Sequence, residues 1–339
     1  MPAVTPPPAQ QPRPAPATPE ARAARPAKPR KKRRFLRLLS VFVVLAVSLV
    51  ALAMVVTDAR LNRVPTPSIA GSGPGTYLIV GSDSRENLPD DLEGRFGSFA
   101  GQRADVIILA HVSGGTVQML SLPRDLKVSI DGHGTDKINA AYAYGGADLL
   151  ASTIQNDLGV GISHYMEVEF GGFAEIVDAV GGVELTFEYP TRDAKSGLDV
   201  PAGTQVVDGA TALAFVRSRA TEELRDGSYQ SAQGGDIART SRQRQVLEAV
   251  IRKALTPGGV VRAPSLANSV TASIRVGEQT HTWNLGLFGF RFVTAPASES
   301  MALPVTGSSE GGVSYVVRTE AATQAIAAFV SGNPLPIED

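Results

Sequence analysis

A stretch of twenty residues without a charged side chain, Leu38–Thr57, constrains this chain more than any other feature. At the rise of an α-helix, twenty residues span roughly 30 Å, the hydrocarbon thickness of a bilayer. A helix satisfies its own backbone hydrogen bonds in lipid. The stretch, with the basic run at 30–34 before it, therefore predicts one transmembrane helix over residues 35–57.

Charge is distributed unevenly on the two sides of this stretch. Residues 1–37 contain ten Lys/Arg and one acidic residue, which leaves 22 basic and 32 acidic residues for the rest. The positive-inside rule then keeps the N-terminus in the cytoplasm and places the C-terminal part outside it. A cleaved signal peptide is the alternative, but the apolar run is long for one and lacks a clear A-x-A site. A net-negative outer domain is a poor binder of nucleic acid, so we expect no nucleic-acid partner.

Composition shifts divide the rest of the chain. The Pro/Ala-rich residues 1–34 predict a disordered basic tail, and the Pro/Gly-rich residues 58–75 predict a linker. We expect an α/β catalytic domain over 76–255 and a C-terminal extension, partly packed on it, over 256–339. The chain has no cysteine, which excludes disulfides, thiol nucleophiles and Cys-bound metals.

Apolar runs and helical periodicity alternate along residues 76–255, which is typical of a mixed sheet with helices on both faces. The fold class that we predict is α/β, a three-layer α/β/α arrangement with a central mixed sheet, plus the N-terminal transmembrane helix. The runs at 105–112 and 117–122 predict a β-hairpin, and Asp136 or Asn139 is expected to start a helix over 138–158 that Gly159 ends. The other predicted strands cover 76–80, 165–168, 183–187 and 313–317, and the other predicted helices cover 173–180, 210–216, 239–255 and 320–330.

Arginine and aspartate recur together at the predicted strand ends and turns. Guanidinium groups match phosphate oxygens, and carboxylates with a bound phosphate suit Mg²⁺, so this pattern indicates a metal-assisted pyrophosphate site. Ordinary Arg–Asp ion pairs are the alternative. The segments that carry the pattern are Gly81-Ser82-Asp83-Ser84-Arg85, Arg103 with Asp105, Arg124-Asp125, Arg217-Ser218-Arg219, Gly235-Asp236 with Arg239, and Arg242-Gln243-Arg244-Gln245.

The order and spacing of these segments resemble the extracytoplasmic domain of the LytR-CpsA-Psr family of cell-envelope phosphotransferases. The matching motifs cover about residues 77–255 and the anchor topology also fits. They are YLIVGSDSR (77–85), RADVIILAHV (103–112), MLSLPRDL (119–126), DKINAAYAYGG (136–146), GISHYMEVEFGGFAEIVDAVGGVE (161–184), QVVDGATALAFVRSR (205–219) and GDIARTSRQRQVLEAV (235–250).

The resemblance implies an α/β/α fold with a hydrophobic groove for a polyprenyl chain. It also implies Mg²⁺, with Mn²⁺ as a possible substitute, bound near Asp83 and Asp105. Arg124 is expected to act in catalysis, and Asp83 or Asp236 to accept a proton. The residues implied to grip the pyrophosphate are Arg103, Arg124, Arg217, Arg219, Arg239 and Gln243.

The leading hypothesis is a transferase that moves a glycopolymer from a polyprenyl-pyrophosphate donor onto a peptidoglycan hydroxyl as a phosphodiester. Its expected partners are the lipid-linked glycopolymer, peptidoglycan and membrane lipid. One alternative is a pyrophosphatase of lipid-linked sugars, in which water replaces the hydroxyl. The other is a non-catalytic envelope-binding or regulatory membrane protein.

Overall fold

The structure is a computed structural model that describes residues 52–66, 75–82, 104–113, 115–218, 220–232, 235–254, 256, 258–259, 262–295 and 297–336. The strands are β1 (Asn62–Val64), β2 (Thr76–Ser82), β3 (Ala104–Ser113), β4 (Thr116–Leu122), β5 (Lys127–Ile130), β6 (Gly134–Lys137), β7 (His164–Glu169), β8 (Val183–Phe187), β9 (Thr191–Asp193), β10 (Leu198–Val200), β11 (Gly203–Val207), β12 (Glu222–Arg225), β13 (Ser228–Ser231), β14 (Ile274–Gly277), β15 (Ala297–Ala302), β16 (Val305–Glu310) and β17 (Val313–Arg318). The helices are α1 (52–60), α2 (Ile138–Leu158), α3 (Phe170–Val180), α4 (Gly209–Arg217), α5 (Gly235–Ala254), α6 (Ala263–Ser273), α7 (Thr282–Thr294) and α8 (Glu320–Ser331).

A seven-stranded mixed sheet with the order β1-β14-β7-β2-β3-β4-β15 forms the centre. Strands β2, β3 and β4 are antiparallel neighbours, whereas β7 runs parallel to β2 and β15 runs parallel to β4. The central strands are continuous apolar runs because both of their faces are buried. The predicted mixed α/β fold with a central mixed sheet is confirmed, and so is the hairpin of β3 and β4.

Each face of the sheet has its own apolar core. On one face, alternate residues of β2, β3 and β4, among them Leu78, Leu109 and Leu120, pack with helices α2 and α8. On the other face the intervening residues, among them Ile79 and Ile108, pack with α7 and α5. This division follows from the two-residue period of a strand. Helices therefore cover both sides of the sheet.

A separate apolar cluster stabilises the part of the chain between β7 and β14. It joins helices α3, α4 and α5 to the strands β8, β10 and β11, and Val177, Ala212 and Val246 are fully buried in it. Strand β8 pairs with β11, and β9 joins β10 and β12 in a small four-stranded sheet with β13. The cluster holds α3, α4 and α5 next to the sheet edge where β3 begins.

Two segments contribute more to the sheet than the sequence indicated. The expected linker at 58–75 contains β1, which pairs in parallel with β14. The expected extension after residue 255 supplies β14 and β15. Strand β15 has the sequence ASESMA, which has little apolar pattern because an edge strand is held mainly by its backbone hydrogen bonds. The boundary of the catalytic part at residue 255 stays a prediction, although the sheet continues beyond it.

Most of the predicted transmembrane helix lies outside the described residues. Only its last residues, 52–57, are described, and they begin helix α1. Among the helices that the structure describes, none is both long and apolar enough to cross a bilayer.

Candidate active site

A pocket of about 210 Å³ opens at one edge of the central sheet. Several strands and helices begin or end here. Ser82 at the end of β2 pairs with Ala104 at the start of antiparallel β3. The same Ser82 pairs with Glu169, the last residue of parallel β7, and α3 begins at the next residue. The residues that line the pocket are Asp105, Val106, Arg124, Phe170, Val216, Arg217 and Gln243.

Arg124 lies two residues after the end of β4 and is held on both sides by carboxylates. Its Nη1 donates to Asp105 Oδ1 at 2.8 Å and its Nε to Asp125 Oδ2 at 3.4 Å. Burial lowers the pKa of Arg124, but the hydrogen bond and charge of Asp105, followed by Asp125, outweigh it and leave that pKa raised. The guanidinium is therefore a fixed positive charge on the pocket wall.

Asp125 is itself tied to a second cation. Lys137 Nζ donates to Asp125 Oδ1 at 2.8 Å. Burial raises the pKa of Asp125, but Lys137 and Arg124 outweigh that effect, so the pKa of this carboxyl lies below its usual range. Asn139 N also donates to the carbonyl oxygen of Arg124 at 3.2 Å, which fixes the turn to the start of α2.

Arg217 reaches the pocket from the last turn of α4, where a cation is favoured by the helix dipole. Its guanidinium carbon lies 4.9 Å from the centre of the Phe170 ring. Helix α4 approaches α3 closely because Gly209 lies against Ala174, and a Cβ at Gly209 would sit 2.1 Å from Ala174 O. This close approach holds together the two helices that carry Arg217 and Phe170.

A buried hydrogen-bond network holds the chain just after Arg217. Ser218 Oγ donates to Asp193 Oδ2 at 2.6 Å, and Ala220 N donates to the same oxygen at 3.0 Å. Arg242 Nη2 donates to Ser218 O at 2.7 Å and Nη1 to Thr221 Oγ1 at 3.0 Å. Arg242 thus acts on the end of α4 rather than as a residue that lines the pocket.

Four of the nine predicted site residues line the pocket together: Asp105, Arg124, Arg217 and Gln243. Their roles remain predictions. Asp83, Arg103 and Arg219 lie outside the described residues. Asp236 and Arg239 lie on helix α5, and their side chains are outside the described part.

Sequence reasoning did not find two residues that shape the site, Phe170 and Asp193. Phe170 follows the predicted strand at 165–168, so its position at the sheet edge was a usable signal. Asp193 is only 1% exposed, and its neighbours in sequence gave no sign of burial or of contact with Ser218.

The donor set of the pocket bears on the predicted metal. Asp105 supplies hard carboxylate oxygen, which suits Mg²⁺. Across the described side chains there is no group of three or more His, Cys, Asp and Glu residues that could hold an ion by themselves. An ion at Asp105 would therefore need ligands beyond these, such as phosphate oxygens or water.

A family model that matches residues 41–329 is that of the LytR_cpsA_psr family. The chain belongs to this family. The match includes β14 and β15, in agreement with their place in the central sheet.

Two relatives of the chain carry names that refer to the cell wall. The chain is 40% identical to a probable cell wall biosynthesis protein, LcpB, of Corynebacterium glutamicum, over 70% of this chain and 58% of that protein. It is 34% identical to the polyisoprenyl-teichoic acid–peptidoglycan teichoic acid transferase TagU of Halalkalibacterium halodurans, over 62% of this chain and 63% of that protein. The chain thus spans about three fifths of the length of these two relatives.

Solved structures share the fold. The LytR-Csp2A-Psr enzyme from Actinomyces oris superposes with a TM-score of 0.62 at 28% identity, over 80% of this chain and 96% of that one. This LytR_cpsA_psr chain therefore has the α/β core of an enzyme of its own family.

Proposed function

We propose that this chain is a membrane-anchored phosphotransferase that moves a glycopolymer from a polyprenyl-pyrophosphate donor onto peptidoglycan. The observation that carries the proposal is the convergence of Arg124 and Arg217, from different elements, on one pocket beside Asp105 and Gln243. Membership of the LytR_cpsA_psr family supports it, and so does the transferase name of the TagU relative.

In the proposed reaction the oxygen of a peptidoglycan hydroxyl attacks the phosphorus that carries the glycopolymer. The bond from that phosphorus to the bridging oxygen breaks, and polyprenyl phosphate leaves with the bridging oxygen and its electron pair. The hydroxyl proton passes to a carboxylate, for which we propose Asp83 or Asp236. The product is a phosphodiester between the glycopolymer and peptidoglycan.

The pocket supplies what this reaction needs most, which is compensation of negative charge. Arg124 and Arg217 present planar forks that bind phosphate oxygens in pairs and offset charge that develops on the bridging oxygen. We propose that Arg103, Arg219, Arg239 and Gln243 complete the grip. Val106, Phe170 and Val216 give the pocket an apolar wall suited to the first isoprene unit of the donor.

We propose that Asp105, with Asp83, holds a Mg²⁺ ion that Mn²⁺ can replace. Mg²⁺ commonly binds through one or two carboxylates and substrate phosphates, so Asp105 fits this role even though no larger carboxylate group occurs in the described part. When bound, the ion would add positive charge beside the pyrophosphate. Removal of the ion with EDTA should stop turnover, and added Mg²⁺ or Mn²⁺ should restore it.

We also propose that residues 35–57 cross the membrane, with the N-terminus in the cytoplasm and the catalytic part outside. An anchored enzyme would then meet its lipid-linked donor within the plane of one membrane. Protease added to spheroplasts should degrade the chain beyond about residue 60 and leave the basic tail intact, as the positive-inside rule requires. Full protection of the chain would reject this topology.

The experiment that tests the function uses the full chain in lipid vesicles with a lipid-pyrophosphate-linked glycan, peptidoglycan fragments and Mg²⁺. A covalent glycan–peptidoglycan phosphodiester, formed with stoichiometric polyprenyl phosphate, is the expected result. Release of polyprenyl phosphate with water as the sole acceptor would replace the transferase by a pyrophosphatase. The absence of any Mg²⁺-dependent release would indicate a non-catalytic envelope-binding protein.

A further inference from the structure

Helix α7 carries an exposed apolar stripe. Trp283, Leu287 and Phe290 are 53%, 47% and 57% exposed, and their spacing of four and three residues puts them on one face of the helix. The opposite face is also apolar, since Phe288 and Phe292 are buried against the central sheet. A helix that is apolar on both sides calls for a second apolar contact, because exposed apolar patches mark interaction surfaces.

The start of α7 is attached to the chain just beyond the uncharged segment 38–57. Asp58 Oδ1 accepts a hydrogen bond from Thr282 N at 2.8 Å, and Asp58 Oδ2 lies 3.1 Å from Nδ1 of His281. Asp58 is the first charged residue after that segment. The N-terminal end of the stripe therefore lies where the proposed membrane helix emerges.

Helix α1 adds apolar surface on the other side of this contact. Leu52, Met54, Val55 and Val56 are between 41% and 64% exposed. They belong to the end of the proposed transmembrane segment, so lipid is their natural surrounding. Through Asp58, the lipid-facing end of α1 is joined to the first turn of α7.

The charges around the stripe suit lipid headgroups. No acidic residue occurs from His281 to Thr294, and Arg291 is exposed one residue after Phe290. Arg60 is exposed near the Asp58 contact, and Arg63, also exposed, pairs with Asp58 at 2.9 Å. Apolar side chains flanked by arginine, with tryptophan at one end, are typical of helices that lie in the membrane interface.

Helix α7 is firmly attached to the catalytic core. The hydroxyl of Tyr77 on β2 donates to Asn284 O at 3.1 Å, and the rings of Tyr77 and Phe288 are 4.6 Å apart. The core on this face also contains Leu247 and Ile251 of α5, the helix that carries Gln243. Any surface that binds α7 therefore also fixes the distance and the orientation of the pocket relative to that surface.

We propose that α7 is an interfacial membrane helix, and that Trp283, Leu287 and Phe290 insert into the leaflet next to which the catalytic domain lies. The partner is a lipid bilayer that contains anionic phospholipid. This proposal rests on the proposed membrane anchorage but not on the proposed reaction. Insertion would hold the pocket at one distance from the bilayer, where the pyrophosphate of a membrane-embedded donor lies.

Trp283 is the only tryptophan of the chain, so its fluorescence reports on the stripe without any labelling. The full chain is reconstituted in nanodiscs of phosphatidylglycerol and phosphatidylcholine, one protein per disc and without polyprenyl donor. Parallel discs contain phosphatidylcholine brominated either near the headgroup or deep in the acyl chain. The ring of Trp283 stacks on that of His281 at 4.0 Å, and any quenching by His281 is the same in all discs.

We expect loss of Trp283 fluorescence in both brominated discs, greater with bromine near the headgroup, because interfacial helices sit about 5–10 Å into the headgroup–acyl boundary. Acrylamide in the water should then quench Trp283 weakly. Leu287→Glu and Phe290→Glu should each reduce the bromine effect and increase quenching by acrylamide. The matched control is Val330→Glu. Val330 is 52% exposed and lies on helix α8 at the opposite face of the sheet, so this variant should leave the quenching of Trp283 unchanged.

Three results would overturn the proposal. Trp283 that is unaffected by bromine and open to acrylamide would leave the stripe in water. Protection of Trp283 from acrylamide that appears only after polyprenyl donor is added, without bromine quenching, would assign the stripe to the donor chain. Protection from acrylamide that is lost in discs with one protein but present in discs with two would assign it to a second copy. Turnover can be intact or absent in each case, so this test is independent of the proposed reaction.

Discussion

Arg124 Nη1 lies 2.8 Å from Asp105 Oδ1, and this contact joins the turn after β4 to the start of β3. Both side chains are mostly buried, with 29% and 21% of their surface exposed. The guanidinium is therefore oriented before any donor binds. A phosphate that enters the pocket meets a cation whose position is fixed, which lowers the cost of ordering that side chain on binding.

Changing Arg124 to Ala should abolish most donor turnover. Loss of a charge-assisted contact to phosphate costs on the order of 1.5–3 kcal/mol in binding, and more if the contact strengthens in the transition state. Arg124→Lys should also reduce turnover, since a point charge cannot replace the bidentate fork. The measurement is kcat/KM for polyprenyl phosphate release. Arg225→Ala is the control, because Arg225 makes an exposed pair with Glu223 away from the pocket, and normal turnover by Arg124→Ala would remove Arg124 from the mechanism.

Asp105 allows loss of charge to be separated from loss of a contact. In Asp105→Asn the amide oxygen can still accept from Arg124, so the melting temperature should change little. Asp105→Ala leaves Arg124 without this acceptor and should lower the free energy of unfolding by about 1–3 kcal/mol. If Asp105 holds the metal, both variants should lose Mg²⁺-dependent turnover. A Mg²⁺ titration of turnover and a melting curve, measured for both variants, separate the two roles. An unchanged Mg²⁺ requirement in Asp105→Asn would limit Asp105 to orienting Arg124.

Ser218 offers a test of the network that holds the end of α4. Ser218→Ala removes the 2.6 Å hydrogen bond to buried Asp193, and we expect a loss of about 1–3 kcal/mol in the free energy of unfolding. The KM for the donor should rise as well, because Arg217 is the preceding residue. Ser152→Ala is the matched control, since the half-buried Ser152 hydroxyl donates to carbonyl oxygens of its own helix, those of Asp148 and Leu149. Urea unfolding and donor kinetics of both variants check this, and equal stabilities would show that the network contributes little.

The sequence predicted the elements whose burial is visible in their own residues. The apolar runs in β2, β3 and β4 are continuous because helices cover both faces, and β3 and β4 pair as a hairpin up to Ser113 and Thr116. The bounds of α2 also agree, with Gly159 in the left-handed conformation at its end. The predicted helix is not continuous, however, because Gly145 and Gly146 leave the helical conformation and kink it. Its start differs from the expectation. Lys137 occupies the N-cap position, and neither Asp136 nor Asn139 caps the helix with its side chain.

The sequence could not predict which groups meet across the chain. It gave no sign that Arg124 contacts Asp105, which strand pairing brings together from 19 residues apart. It also gave no sign that β7 turns Glu167 inward, because an alternating strand normally points its charged residues to solvent. Glu167 is 1% exposed and accepts from two tyrosines, so its burial depends on hydrogen bonds that only the fold supplies.

The last prediction concerns this buried glutamate and stability at high pH. The hydroxyls of Tyr142 and Tyr165 donate to the two carboxylate oxygens of Glu167, and Arg275 Nη1 lies 3.9 Å from Oε1. Burial raises the pKa of both tyrosines, and the charge of Glu167 raises each further. Below about pH 10 both tyrosines are neutral whether the chain is folded or unfolded, so their contribution to stability is fully present.

Above about pH 10 the tyrosines ionise in the unfolded chain but stay protonated in the folded one. Each should then lower the free energy of unfolding by about 1.4 kcal/mol per pH unit. Tyr142→Phe should be less stable at neutral pH by about 1–3 kcal/mol, because one oxygen of Glu167 loses its donor, yet it should lose less stability as the pH rises. Tyr229→Phe, at an exposed position on β13, is the control. Urea unfolding of the full chain in detergent from about pH 8 to pH 11 measures the slopes. An alkaline slope that is the same in Tyr142→Phe as in the unmodified chain would mean that Tyr142 ionises equally in both states and that its contact with Glu167 does not persist in solution.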